Sequence, residues 1–144
     1  MSEGLTEITA TWKDEMTFIG KNASGGTVQM GSLDSKPGVS PMQLLLVAIA
    51  GCTGNDILSI LKKKRVALTG MQVRVRGKRA DCYPMIWSEI HVTYLIWGKS
   101  IKPRDIEHAI DLSENKYCSV GIMLAKSAKI TSEYLILKPG EIIH

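Results

Sequence analysis

One helical stretch, Ser40 to Arg65 (SPMQLLLVAIAGCTGNDILSILKKKR), sets the terms for any fold this chain adopts. Ser40 offers an N-cap oxygen, Pro41 fits the first helical position where a missing N–H costs nothing, and Gln43 completes an S-x-x-Q capping box. Lys62, Lys63, Lys64 and Arg65 place positive charge at the carbonyl end of the macrodipole, before β-branched Val66 opens a different pattern. Leu44 to Ala50 is apolar on every side, so a 3.6-residue period selects no single buried face and this half needs cover all round. Gly51, Thr53, Gly54, Asn55 and Asp56 interrupt the run short of the ~20 apolar residues a bilayer requires, which predicts a core helix and no membrane partner. Cys52 lies where the all-apolar half gives way to the polar segment, a boundary that leaves a thiol largely buried yet reachable from a small pocket.

The chain has 144 residues, 44% hydrophobic and 22% charged, a size and composition suited to one globular domain over residues 1–144. The N-terminal MSEGLTEITATW lacks the basic and apolar regions of a secretion signal, so a cytoplasmic location is expected. Cys52, Cys82 and Cys118 are far apart and form no C-x-x-C, while His91, His108 and His144 are scattered; no metal and no cofactor is expected from these spacings. In a reducing compartment such thiols are free, and a disulfide between two of them would be transient and functional. The net charge of +4 gives only a mild bias toward anionic partners. Its basic runs, Lys62 to Arg65 and Arg74, Arg76, Lys78 and Arg79, read as solvated faces rather than a nucleic-acid surface.

Thr6, Ile8, Ala10 and Trp12 share one face of a first strand, Asp14-Glu15 is a turn, Met16 to Ile19 returns, and Asn22 to Gly26 turns again into Thr27 to Met30. Gly31 to Val39 is a loop and the candidate wall of a pocket. After the long helix, Met71, Val73 and Val75 alternate with Gln72, Arg74 and Arg76, and Trp87 to Trp97 alternates again, which predicts an antiparallel hairpin. Lys102 to Lys116 is an amphipathic helix, with His108 facing solvent; Ser119 caps a short turn over Val120 to Ala125, and Lys129 to Lys138 is a closing strand. The order β-β-β-α-β-β-α-β gives an α+β fold of antiparallel sheets around a long central helix.

Cys118, at a helix start, would feel the partial positive charge of free N–H groups and so be the easier thiol to ionise. Cys52 is flanked by apolar residues, and desolvation opposes a thiolate there unless a donor or cation is close. On residue pattern alone Cys52 reads first as a small buried core residue. Cys82, in a turn, has no assigned role, and Trp12, Phe18, Trp87, Tyr94 and Trp97 are core or contact residues that can also wall an apolar pocket beside Cys52.

The runs GVSPMQLLLVAIAGCTGNDIL and SENKYCSVGIML resemble the OsmC/Ohr superfamily of thiol-dependent hydroperoxide reductases, and more closely its YhfA-like branch, over essentially the whole chain. The resemblance implies an intertwined homodimer in which Cys52 is oxidised by an organic hydroperoxide to a sulfenic acid. Cys118 then condenses with it to a disulfide, and a lipoyl-type dithiol restores both thiols. Peroxidases of this superfamily add an N-terminal Arg and a Glu just after the helix-opening Pro. Here no Arg precedes Arg65, and Met42 and Gln43 follow Pro41, leaving Gln43 as a supporting residue and Lys13, Lys21 or Lys36 as substitute cations. Two functions therefore stand side by side: a cysteine-based peroxidase of weakened activity, and a non-catalytic binder of small apolar molecules on the same fold.

Overall fold

A computed structural model describes residues 4–31 and 38–143. The chain divides into two compact units, residues 1–45 and 46–144. The first holds strands β1 (Ile8–Asp14), β2 (Thr17–Asn22) and β3 (Thr27–Gly31), an antiparallel meander in the order β1-β2-β3. Asn22 makes the second turn: its side-chain Oδ1 accepts from the backbone N–H of Ser24 and Gly26 at 3.1 and 2.7 Å, and Gly25 takes a φ of +96°. The turns come where the Asp, Asn and Gly residues indicate, and β1 is exposed along its whole length, Trp12 included.

Helix α1 (Pro41–Lys63) starts in the first unit and runs into the second. The capping box is formed as expected: the Gln43 N–H donates to Ser40 Oγ at 3.1 Å, and the Ser40 N–H donates to Gln43 Oε1 at 3.0 Å. By length and composition α1 is apolar enough to cross a membrane, contrary to the expectation that its glycines and polar residues shorten it too far. Its buried residues, Ile49, Thr53, Gly54, Ile57 and Leu61, nevertheless form one stripe that belongs to a protein core. Val47 and Leu58, on the other side, are 55% and 45% exposed, so the all-round apolar composition is only partly used within one chain.

The rest of the second unit contains β4 (Gly70–Arg79), β5 (Trp87–Trp97), α2 (Pro103–Leu112), a five-residue π turn (Ser113–Tyr117), α3 (Ser119–Leu124) and β6 (Lys129–Leu137). The sheet order is β4-β5-β6, with β4 and β5 antiparallel and β5 and β6 parallel. The parallel pair corrects the expectation of purely antiparallel sheets. A helical crossover separates β5 from β6, and such a connection returns the chain in the same direction, whereas a hairpin turn cannot. Central strand β5 buries Ile90, Val92, Tyr94, Leu95 and Ile96; Ile90, Val92, Tyr94 and Ile96 share a core with Ile49, Ile57 and Leu61 of α1 and Ile106, Ala109 and Ile110 of α2. Arg74, Arg76 and Lys78 project into solvent, and the Arg79 guanidinium lies 5.4 Å from the centre of the Trp87 ring.

Candidate functional site

The pair of thiols is assembled from α1 and the crossover. Cys52 and Asp56 sit one helical turn apart on α1, at the i, i+4 spacing that puts two side chains on one face. Cys118 arrives by a less regular route. The helix ending at Leu112 widens into the π turn, closed by the Cys118 N–H donating to Ser113 O at 2.7 Å. This aims the Ser113 hydroxyl at Asp56 Oδ2, 3.0 Å away, and leaves Cys118 fully buried.

Cys118, rather than Ser119, is the N-cap of α3: its Sγ accepts from the Gly121 N–H at 3.2 Å. Glycine at position 121 eases this approach, since a Cβ there would stand 3.2 Å from Cys118 Sγ and the thiol would have to give by a few tenths of an ångström. Cys52 Sγ, an Asp56 carboxylate oxygen and Cys118 Sγ all lie within 4.8 Å of one another, and both cysteines are free.

A cavity of about 390 Å³ opens against Cys118, walled by apolar Ile49, Val92, Ile122 and Ile130 and by polar Tyr94 and Glu114. Glu114 accepts from the Tyr94 hydroxyl at 2.7 Å and from Ser132 Oγ at 3.1 Å. Burial and then the Glu114 carboxylate hold the Tyr94 phenol well above the usual tyrosine range. Burial, the contact with Cys52 and the negative charge of Asp56 push the Cys118 thiol up to about 12, against the single Gly121 N–H that favours the anion. The expectation that a helix start makes Cys118 the easier thiol to ionise is thereby overturned. A six-residue helix supplies little field, and complete burial beside a carboxylate outweighs it.

Of the residues expected at the site, Cys52 and Cys118 are brought together. Gln43 is exposed and has its side-chain oxygen engaged in capping α1. Lys13 and Lys21 lie on β1 and β2, while Lys36 and, of the candidate pocket wall Gly31 to Val39, residues 32–37 fall outside the described residues. Cys82 and His108 are exposed, and Tyr94 lines the cavity. Asp56, Ser113 and Glu114 were not foreseen. Asp56 is legible as the i+4 neighbour of Cys52; Ser113 and Glu114 depend on the π turn, which leaves no mark in the apolar periodicity.

Two free thiols are thus held side by side by a central helix and a crossover cap, next to a small cavity, in a mixed α+β protein. The chain belongs to the OsmC-like protein family, whose sequence profile matches residues 33–133. It is 33% identical over 126 residues to Protein YhfA of Escherichia coli K12, covering 88% of this chain and 94% of that one. A hypothetical protein of Aquifex aeolicus VF5 superposes with a TM-score of 0.79 at 36% identity, covering 92% of this chain and 97% of the other. The organic hydroperoxide resistance protein OhrB of Bacillus subtilis, at 13% identity and a TM-score of 0.61 over 90% of this chain and 97% of its own, shares the fold.

Proposed function

We propose that the protein is a thiol-dependent reductase of organic hydroperoxides, with Cys52 as the attacking sulfur and Cys118 as the resolving one. The observation that carries this reading is the separation of the two sulfurs, no more than 4.8 Å, across elements distant in sequence. Cys52 sulfur attacks the terminal peroxide oxygen, the O–O bond breaks, and the alcohol leaves with the thiol proton, giving Cys52 sulfenic acid. Cys118 sulfur then displaces the sulfenic oxygen, which departs as water, and the disulfide forms. Asp56, inside the same 4.8 Å, is placed to take the Cys118 proton directly or through one water. A lipoyl-type dithiol returns two electrons and two protons by exchange.

Cys118 suits the second role. Held protonated, it is a poor nucleophile toward peroxide until a sulfenic acid is formed beside it. The apolar cavity favours an alkyl or aryl peroxide over hydrogen peroxide. Peptide mapping after one equivalent of cumene hydroperoxide is expected to yield a Cys52–Cys118 link and leave Cys82 free. Recovery of both thiols unmodified, with saturable binding of cumyl alcohol, would instead support a non-catalytic binder.

The same reading includes a homodimer, because Val47 and Leu58 on α1 and Met123 on α3 are exposed apolar side chains of core-forming elements. Light scattering is expected to give twice the mass of one chain. A monomer at micromolar concentration would remove this part of the proposal.

A further inference from the structure

Nothing in the spacing of cysteines and histidines suggests a metal, yet the fold brings together a donor set that suits one. Two sulfurs and a carboxylate oxygen lie mutually within 4.8 Å. Around a tetrahedral zinc-class ion, with bonds of about 2.3 Å to sulfur and about 2.0–2.2 Å to oxygen, such donors stand roughly 3.5–3.8 Å apart. The difference, at most about 1.3 Å, is of the size that side-chain rotation can supply. Two of the donors come from one helix at i and i+4, the spacing by which a helix presents two ligands to one ion. The third is fixed by the α3 cap, and the Ser113 hydroxyl holds the Asp56 carboxylate in place, the kind of supporting hydrogen bond that orients a ligand.

The charge around the site points the same way. An Asp56 carboxylate oxygen lies within 4.8 Å of both sulfurs and Glu114 lines the adjoining cavity, while no Lys or Arg is among the described residues lining it. Among the described residues Lys63, Lys64 and His108 line a second cavity, which Asp56 also borders, so a pair of thiolates facing the first cavity would meet carboxylates rather than a lysine or arginine. A bound dication supplies the positive charge. The cavity against Cys118 leaves room for water or an exchangeable ligand in the fourth position, as in zinc sites that stay open.

We infer that the reduced protein holds a soft divalent cation of the zinc class between Cys52, Asp56 and Cys118, with one coordination position facing the cavity. Sulfur-rich donors select zinc or cadmium over magnesium or calcium. Binding replaces the two thiol protons, which are released. The inference requires only reduced thiols and stands whether or not they turn over peroxides.

Titration of the reduced full-length Cys82→Ser protein with cadmium, followed by thiolate-to-cadmium charge-transfer absorption and by proton release in weak buffer, tests it. The expected result is one ion per chain, an absorption amplitude corresponding to two thiolates, and two protons released per ion. In the same background Cys52→Ser and Cys118→Ser are each expected to halve the amplitude. Asp56→Asn should keep both thiolates but weaken affinity by at least the roughly tenfold typical of losing a supporting residue. Absence of the absorption, or an Asp56→Asn titration that overlays its parent, overturns the site. If a cysteine variant fails to fold, the proton count and the Asp56→Asn comparison still decide the matter.

Discussion

Cys52→Ser is expected to reduce cumene hydroperoxide turnover with a dithiol to the background rate of the dithiol alone, whereas Cys118→Ser keeps the first oxidation and loses the second. A hydroxyl at position 52 cannot be oxidised by a peroxide, so the first step disappears entirely. In Cys118→Ser the sulfenic acid forms but its internal partner is gone. The partner sulfur stands within 4.8 Å in the wild type, an arrangement equivalent to a very high local thiol concentration. Replacing it by dithiol from solution slows turnover by roughly 10²-fold or more. The stranded sulfenic acid should be trapped by dimedone on Cys52 in Cys118→Ser and not in the wild type, and excess peroxide should carry it on to the sulfinic acid. Because the cavity lines Cys118 rather than Cys52, the experiment also decides the order of the two sulfurs. Dimedone on Cys118 in Cys52→Ser, with full first-step reactivity there, would reverse the assignment, and wild-type turnover in Cys52→Ser would end the peroxidase reading.

The parts of this fold that could be read in the sequence are those decided locally. Ser40 and Gln43 form the cap that their spacing announces, Asn22 and Gly25 make the turn, and Trp87 to Trp97 is a strand over the range its alternation gives. What could not be read depends on partners distant in the chain. The pairing of β6 beside β5 is set by the crossover, and nothing in Lys129 to Leu137 distinguishes a parallel neighbour from an antiparallel one. Similarly, the residue pattern showed a thiol near a helix start at Cys118, but its ionisation is governed by burial and by Asp56 on another helix. The meeting of Cys52 with Cys118 was legible only through family resemblance. Asp56 as a third member of the cluster required the helix face to be seen next to its neighbour.

Alkaline pH is expected to destabilise the protein through Cys118 and Tyr94, and the direction follows from their protonation. The Cys118 thiol is raised from 9.0 to about 12 on folding, so the folded state prefers the protonated form. That contribution is fully present below pH 9 and is lost as pH rises toward 12. Tyr94, raised from 10.0 by burial and by Glu114, adds a loss of the same sign starting one unit higher. Urea midpoints measured from pH 8 to about 11 in reduced protein should therefore fall more steeply for wild type than for Cys118→Ala or Tyr94→Phe. The comparison among variants cancels the titration of the lysines, which all three share. Cys118→Ala loses one weak hydrogen bond from Gly121 and some packing, so it starts less stable at neutral pH, but its curve should be flatter above pH 9. Identical slopes in all three proteins would mean that neither group resists ionisation in the folded state, and the assignment of Cys118 as the protonated, resolving thiol would lose its electrostatic basis.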